Sequence, residues 1–286
     1  TPTVMMNLMN HCSHFKNKKI TLLGLGVLGR GVGDAEFLAE CGANLIVTDL
    51  KTKKELSESV ARLKKYRNVT FVLGGHRLDN FRNRDMIIKA AGVPLDSPYI
   101  AEARKNKIPI EMSTALFATL SGAYIIGVTG TRGKSTVAHL LYHILQKAVL
   151  RPIRHAQGRP EGFEGRQGSG HLRKQVFLGG NVKGISTLAL LKEVRKGDYV
   201  VLELDSWQLQ GFGERSLSPH MAIFTNFMPD HLNYYRGDME AYWRDKEHIF
   251  KHQKKDDYLI TTKEITRYIE EFVTNDVINS KIVISE

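Results

Sequence analysis

The feature that most constrains this chain is a glycine-rich segment between a predicted strand and a predicted helix, Gly130-Thr131-Arg132-Gly133-Lys134-Ser135-Thr136. Residues 124–128 form an apolar run, and residues 134–146 place apolar side chains at helical spacing. A glycine-rich turn in this position offers backbone N–H groups, a lysine and hydroxyls to phosphate and Mg²⁺. We predict a phosphate-binding loop, shorter than the common pattern because Val128 stands where that pattern has its first glycine.

Short apolar runs alternate with helical patterns elsewhere, which is typical of parallel sheets flanked by helices. Predicted strands lie at residues 20–23, 45–47, 70–73, 86–89, 108–110, 124–128, 177–178, 199–204, 221–225 and 258–261. Predicted helices lie at residues 111–120, 134–146, 186–195 and 239–252. We predict an α/β protein with a Rossmann-like parallel-sheet domain at residues 1–110 and a P-loop ATP-binding domain at residues 111–286.

Length and charge set the context for these motifs. A chain of 286 residues is long enough for about two domains. The 41 Lys and Arg exceed the 30 Asp and Glu by 11, which favours anionic partners such as nucleotides, nucleic acids or acidic metabolites. Two cysteines suit a reducing compartment, and residues 112–131 are too polar for a membrane span. We therefore expect a cytoplasmic protein without membrane insertion.

One segment differs from its surroundings in composition. Residues 147–175 contain seven Lys or Arg, two Glu and five Gly. This composition predicts a mobile, solvated surface loop, with an anion-binding flap as the alternative.

A second glycine motif lies near the beginning of the chain, in Gly24-Leu25-Gly26-Val27-Leu28-Gly29. It follows a predicted strand, precedes a helix, and has Asp49 20 residues beyond its last glycine. The pattern predicts a phosphate-bearing ligand, NAD if taken alone, although a tight turn without ligand has the same pattern. An NAD enzyme has no use for a second triphosphate site, whereas an ATP-driven reaction on a phosphate-tagged substrate does.

Two further polar groups follow apolar strands. Glu203 ends the run 200–203, where a parallel sheet can deliver a carboxylate to a Mg²⁺ held by Ser135. Pro229-Asp230-His231 follows another run and places a histidine at the same edge. Alone, either residue is more often an ordinary surface or loop side chain.

These stretches together resemble the Mur ligases, and within that family the members that add D-glutamate. The resemblance lies in the glycine motif with Asp49, the loop 129–136, Gly179-Gly180-Asn181, the string 202–209, Asn226, residues 230–232, and residues 238–242 with Lys246. Asp205 departs from the family pattern, because relatives have serine at that position. The long segment 147–175 also departs from it.

The resemblance implies a role for each matching residue. Residues 130–136 would bind the ATP phosphates, and Lys134, His231 and Lys246 would be catalytic. Ser135 and Glu203 would hold one Mg²⁺, with His231 and Lys246 at a second, Lys246 as a carbamate. The implied substrate-binding residues are Gly24, Leu25, Gly26, Leu28, Gly29, Asp49, Asn181 and Asp205.

The implied activity is ATP-dependent addition of D-glutamate to UDP-N-acetylmuramoyl-L-alanine through an acyl phosphate, in peptidoglycan precursor synthesis. Residues 1–110 would bind the UDP-substrate, and the family's third, C-terminal domain is absent from this chain. We therefore expect a truncated chain without complete activity, acting as a monomer. The alternatives are another Mur-type or folylpolyglutamate-type ligase, and a nucleotide-binding fragment without turnover. A nucleic-acid-dependent ATPase is disfavoured because no basic platform contains interleaved aromatic residues.

Overall fold

The computed structural model describes residues 11–150, 173–273 and 278–285, and most of the predicted basic segment 147–175 lies outside them. The described chain forms two parallel sheets, each with helices packed against it. The strand order is β3-β2-β1-β4-β5 in the first sheet and β11-β10-β9-β6-β8-β7 in the second. All recorded strand pairs are parallel, so the α/β class predicted from the sequence is confirmed.

The first sheet uses the chain from residue 19 to residue 111. Its strands are β1 (Lys19–Leu23), β2 (Asn44–Asp49), β3 (Val69–Leu73), β4 (Met86–Lys89) and β5 (Ile110–Glu111). The connecting helices are α1 (Arg30–Glu40), α2 (Ser57–Leu63) and α3 (Pro98–Lys105), and a 3₁₀ turn covers Leu78–Phe81. The strand order reverses at β1, between β2 and β4, where parallel α/β sheets usually bind their ligands.

The second sheet follows helix α4 (Ser113–Ser121). Its strands are β6 (Tyr124–Thr129), β7 (Val176–Gly180), β8 (Tyr199–Glu203), β9 (Met221–Phe224), β10 (Tyr258–Thr262) and β11 (Lys281–Ser285). The helices are α5 (Lys134–Leu150), α6 (Ser206–Glu214), α7 (Met239–Glu247) and α8 (Lys263–Phe272). Strand β6 lies between β8 and β9, so the loop after it also begins where the strand order reverses.

Two predicted helices differ from the structure. Residues 186–195 contain only a 3₁₀ turn, Leu188–Lys192, with i→i+3 backbone bonds such as that from Leu190 N to the Thr187 carbonyl. The Thr187 hydroxyl accepts from Gly180 N and so ties this segment to the end of β7. The helix predicted over 239–252 ends at Glu247, where backbone bonds change to turns. The predicted domain boundary at residues 110 and 111 falls within β5, and the division into two domains stays a prediction.

One continuous apolar core contains side chains from both sheets' layers, including Phe37, Leu116, Leu188 and Phe212. The two cysteines, expected from the sequence to suit a reducing compartment, are instead paired as the disulfide Cys12–Cys41, which joins the chain before β1 to the end of α1. Within the described residues, no helix is long and apolar enough to cross a membrane.

Candidate active site

The loop after β6 is built around Gly130, whose φ is +146°. A Cβ on this glycine would lie 1.9 Å from Thr225 Oγ1, so no side chain fits there. The loop leads directly into α5, and Lys134 is the first residue of that helix. The loop therefore ends at the N-terminus of α5, where unpaired backbone N–H groups and the helix dipole favour the binding of phosphate.

Asn226, which follows β9, holds this loop in place. Its Oδ1 accepts hydrogen bonds from the backbone N–H groups of Thr131 at 3.1 Å and Arg132 at 2.8 Å. Its Nδ2 donates to the carbonyl of Arg132 at 3.2 Å. The sequence comparison used Asn226 only as part of the resemblance, and its role in shaping the loop was not predicted.

Two lysines converge on the same loop carbonyl. Lys134 Nζ donates to the carbonyls of Gly130 and Thr131, both at 3.0 Å. Lys246 Nζ, from α7, donates to the Gly130 carbonyl at 2.8 Å and lies 3.4 Å from Thr129 Oγ1. The resemblance placed both residues in the site, and the structure brings them together at Gly130.

Burial changes the protonation of both amines. Lys246 is 1% exposed, and desolvation, followed by repulsion from Lys134, lowers its pKa to about 7. Desolvation also lowers the pKa of Lys134, and Glu203, Asp205 and Asp230 oppose that change. Near neutral pH a large fraction of Lys246 is therefore the neutral amine, the form that can react with CO₂ to give a carbamate.

Glu203 reaches the same edge of the sheet from β8. It pairs in register with Val128 of β6 and Gly180 of β7, and it is 4% exposed. Asn181 follows Gly180, donates its backbone N–H to the Glu203 carbonyl at 2.7 Å, and places its Nδ2 3.5 Å from Glu203 Oε1. The buried carboxylate thus stands beside the phosphate loop.

The donor chemistry around this loop fits Mg²⁺. The Glu203 carboxylate and Ser135 hydroxyl are hard oxygen donors, and a carbamate on Lys246 would add two more. An ammonium on Lys246 would instead repel a cation. Within the described residues, no group of three or more His, Cys, Asp or Glu is close enough to hold a metal alone. The predicted metal ligands therefore combine different donor types: the oxygens of Ser135 and Glu203, the imidazole nitrogen of His231, and Lys246 as a carbamate.

His231 lies near Trp207 and Tyr242. Its backbone is left-handed, with φ of 53°, and its ring centroid is 4.8 Å from that of Trp207. The centroid of the Tyr242 ring lies 6.2 Å from that of His231 and 5.0 Å from Lys246 Nζ, so both residues lie near this ring. The structure places His231 at the edge of the predicted site without a direct contact to Lys246.

Asp205 has a structural role that the sequence did not indicate. It is the N-cap of α6: Oδ1 accepts from Gln208 N at 2.7 Å, and Gln208 Oε1 accepts from Asp205 N at 3.3 Å. This reciprocal pair is a capping box. Because serine is also a good N-cap, the departure from the family residue keeps the helix start and adds one negative charge.

In the first sheet, Asp49 binds the glycine loop itself. Its Oδ2 accepts from Leu25 N at 2.8 Å and Gly26 N at 2.9 Å. The resemblance implied that the Asp49 carboxylate binds substrate. In the structure one carboxylate oxygen is already used to fix the loop's conformation, and Oδ1 accepts from Lys51 N at 2.9 Å.

A cavity of about 150 Å³ lies beside this loop. The glycine loop, the end of β4, the start of α4 and the residues after β7 all border it. Its lining residues include Gly24, Gly26, Leu28, Arg30, Lys89, Thr114, Gly180 and Gln208. Arg30 and Lys89 supply positive charge to the cavity, and the sequence identified neither as a site residue.

Comparison with known proteins places both sheets in one family. Residues 18–111 match the family model described as Mur ligase MurD-like, N-terminal domain, and residues 128–285 match the Mur ligase middle domain. Two solved structures show the same fold. One is UDP-N-acetylmuramate:L-alanyl-gamma-D-glutamyl-meso-diaminopimelate ligase from Neisseria meningitides, with a TM-score of 0.55 and 16% identity over 93% of this chain and 77% of that one. The other is a murein peptide ligase from Psychrobacter arcticus, with a TM-score of 0.51 and 13% identity over 94% of this chain and 53% of that one.

Curated relatives are more similar in sequence. Three proteins named UDP-N-acetylmuramoylalanine–D-glutamate ligase match, from a Roseiflexus species, Treponema pallidum and Borreliella burgdorferi. Their identities are 39, 35 and 33%, over 84, 86 and 90% of this chain. The matches cover 46, 43 and 50% of those proteins, so the chain spans about half the length of the relatives.

Proposed function

The chain belongs to the Mur ligase family, and on that premise we propose that it forms the substrate- and ATP-binding part of a D-glutamate-adding ligase. The reaction would join D-glutamate to UDP-N-acetylmuramoyl-L-alanine with hydrolysis of ATP to ADP, in the cytoplasm, for cell wall biogenesis. The names of the relatives and the match of the first sheet to the MurD-like model support this choice.

The observation that carries the proposal is the short path between the two glycine-rich loops. Arg30, directly after the first loop, donates a hydrogen bond to Asn181 Oδ1, and the other amide atom of Asn181 faces Glu203 beside the second loop. A ligand in the first cavity can therefore extend toward a triphosphate at the second loop. This arrangement is what phosphoryl transfer to a nucleotide-tagged acid requires.

The chemistry explains why ATP is needed. A carboxylate does not form an amide with an amine at neutral pH, because oxide is too poor a leaving group. Transfer of the γ-phosphoryl group to the L-alanyl carboxylate gives an acyl phosphate, and attack by the D-glutamate amine then releases phosphate. Both reactants of the first step are anions, so the site must offset their repulsion.

The residues of this chain have distinct proposed roles in that step. The backbone of residues 130–136 would bind the ATP phosphates, and Lys134 would exchange its carbonyl contacts for phosphate oxygens. Ser135 and Glu203 would hold Mg²⁺, which when bound neutralises charge on the phosphoryl group. Lys246, as a carbamate, and His231 would serve a second ion. The glycine loop 24–29 would bind the UDP portion, with Asn181 nearer the reacting carboxylate.

The test is ADP release by the full-length protein with UDP-N-acetylmuramoyl-L-alanine and D-glutamate. We expect release that depends on both compounds and is lost in Lys134→Met. Release that depends on the nucleotide substrate but accepts another amino acid better than D-glutamate would assign the chain to another Mur-type ligase. Absence of substrate-dependent release in the full-length protein would reject ligase function.

A second candidate is nucleotide binding without turnover, because two glycine-rich loops can bind nucleotides without catalysing a reaction. Calorimetry with UDP and a non-hydrolysable ATP analogue, beside the assay of ADP release, distinguishes the two. This second candidate predicts that both nucleotides bind and that the full-length protein does not turn substrate over. Size-exclusion chromatography with light scattering tests the proposed monomer.

A further inference from the structure

We propose that Arg30 binds the substrate carboxylate that becomes the acyl phosphate, and so positions the acid for phosphoryl transfer. This inference rests on the proposed ligase function and adds a residue to its substrate site. Arg30 is the first residue of α1, directly after Gly29 of the glycine loop, and its half-buried side chain lines the cavity. Its side chain reaches Asn181, which follows β7 of the second sheet.

The contact with Asn181 fixes where the guanidinium lies. Arg30 Nη1 donates to Asn181 Oδ1, while Asn181 Nδ2 faces Glu203 Oε1 at 3.5 Å and Asn181 N donates to the Glu203 carbonyl at 2.7 Å. One amide group therefore separates the guanidinium from the buried carboxylate beside the phosphate loop. A group bound by Arg30 would therefore lie between the glycine loop 24–29, where the UDP portion is proposed to bind, and Glu203 beside the phosphate loop.

The backbone around Arg30 holds this position. The carbonyl of Leu28 accepts a hydrogen bond from Gly184 N at 3.0 Å, and a Cβ on Gly29 would lie 3.3 Å from the Gly184 Cα. The glycine loop is thus packed against the chain that follows Asn181. This close approach fixes Arg30 relative to Glu203 without relying on the flexible side chain alone.

The guanidinium retains capacity for an anion. Among residues 11–150 and 173–273 it makes the one hydrogen bond to Asn181 and no ion pair within 4.0 Å. The nearby acid is Asp34, which is buried and accepts a hydrogen bond from Ser186 Oγ at 2.5 Å. A guanidinium has five N–H donors, so four remain for a ligand that enters the cavity.

A carboxylate is the ligand chemistry that fits. Arginine binds carboxylate or phosphate through two parallel N–H bonds, which fixes orientation as well as position. The diphosphate of the substrate has the α1 N-terminus available to it, whereas the N–H groups of Leu25 and Gly26 are used by Asp49. The reacting carboxylate must instead lie toward Glu203, beside the proposed ATP site. Arg30 is the cationic side chain of the cavity that contacts Asn181, the residue whose amide faces Glu203.

The experiment compares three ligands by calorimetry with the full-length protein: UDP-N-acetylmuramoyl-L-alanine, its L-alaninamide analogue and UDP. The variants are Arg30→Gln, which removes the charge, and Arg30→Lys, which keeps it without the fork. The matched control is Arg62→Gln, because Arg62 also contacts α1, through an ion pair with Glu36, but lies outside the cavity.

We expect Arg30→Gln to weaken binding of the carboxylate substrate about ten- to hundredfold, as for a charged hydrogen-bonded pair. Arg30→Lys should recover part of that loss. Binding of UDP and of the amide should change by less than about twofold in both variants, and Arg62→Gln should match wild type for all three ligands. This pattern separates carboxylate recognition from a purely structural contact, which affects the three ligands alike.

Other outcomes overturn the inference in distinguishable ways. Equal weakening for UDP and the substrate would place the diphosphate, and not the carboxylate, on Arg30. Unchanged substrate affinity in Arg30→Gln would leave Arg30 as an interdomain contact only. If wild type binds neither UDP nor the substrate, the proposed function fails, and the assignment of Arg30 fails with it.

Discussion

Three lysines, the buried Lys89 and Lys246 and the partly buried Lys134, share one electrostatic environment. Burial lowers the pKa of Lys89 to about 8 and of Lys246 to about 7, and it lowers the pKa of Lys134 as well. Asp205 opposes the change at all three. The aspartate that departs from the family pattern therefore helps to keep a cluster of cations charged, in addition to capping α6.

At the residue scale, we predict that Lys134→Met lowers the rate of ADP release by the full-length protein at least about 100-fold. The Lys134 amine donates to two loop carbonyls, those of Gly130 and Thr131, and loss of a fixed charge at a phosphoryl-transfer site has effects of this size. Steady-state kinetics measure the change. Lys147→Met, at the exposed far end of the same helix, is the control and should retain wild-type activity.

Residues differ in how far sequence alone could identify them. Lys134 and Glu203 could be identified because each belongs to a local pattern, a glycine-rich loop for Lys134 and the end of an apolar strand for Glu203. The two strands that lead to them, β6 and β8, are neighbours in the sheet. Arg30 and Asn226 could not, because each acts on a segment 94 or more residues away, and only the packing of loops brings them into contact. Asp49 was identified, but its contact with the loop N–H groups depends on side-chain orientation.

At the element scale, α1 is one of the helices that contact both halves of the described chain. It packs against the residues after β7, where Ser186 Oγ donates to Asp34 Oδ1. Neither partner could be predicted as a contact, because residues 186–195 have a helical pattern and form a 3₁₀ turn instead. The strands, by contrast, were predicted within about two residues, since short apolar runs in a parallel sheet have few alternatives.

We predict that Asp34 makes the protein less stable as pH rises. Burial raises its pKa from 3.8 to about 6, so the folded state binds the proton more tightly than the unfolded state. The resulting cost is absent below pH 4, grows between pH 4 and 6, and is constant above. At 1.36 kcal/mol for each pH unit it reaches about 3 kcal/mol.

Asp34→Asn tests this directly, because asparagine can still accept from Ser186 but does not titrate. Urea unfolding at pH 4.5 and 7.5 should show a smaller loss of unfolding free energy in the variant than in wild type. The exposed Asp79→Asn serves as the control for a general effect of removing one carboxylate. Parallel pH dependence in wild type and Asp34→Asn would contradict the prediction.

The close packing of α1 gives a second prediction at this scale. A Cβ at Gly33 would lie 2.6 Å from Ser186 Cβ, so Gly33→Ala must displace the segment after β7. Alanine usually stabilises a helix by about 1 kcal/mol over glycine, but overpacking costs about 1–3 kcal/mol. We expect a net loss of unfolding free energy in chemical denaturation. Gly92→Ala, where the added Cβ meets open space, should be neutral.

At the scale of the whole molecule, the fold follows from repetition of one simple unit. Both sheets are parallel, and in both the glycine-rich loop follows the strand at which the order reverses. Sequence could predict two such loops, because each motif is local. The distance between them could not be predicted, since it depends on how α1 and the 182–188 segment pack.

Two separate anion sites should respond differently to loss of divalent metal. The proposed ATP site contains the Mg²⁺ ligands Ser135 and Glu203. The cavity beside the first loop is lined instead by two cationic side chains, Arg30 and Lys89, and by backbone N–H donors. We therefore predict that EDTA weakens binding of a non-hydrolysable ATP analogue to wild type at least about tenfold, because the triphosphate then loses its counter-ion. Binding of UDP should stay within about twofold.

Glu203→Gln provides the matched variant for this measurement, since it removes the ligand charge while keeping the shape of the side chain. In that variant the affinity for the ATP analogue should already be low with Mg²⁺ present, and EDTA should have little further effect. UDP affinity should remain that of wild type, because Glu203 lies beyond Asn181 from the first cavity. Equal sensitivity of UDP and the ATP analogue to EDTA would show that one metal-dependent site binds both nucleotides, and the assignment of a ligand to each sheet would then be wrong.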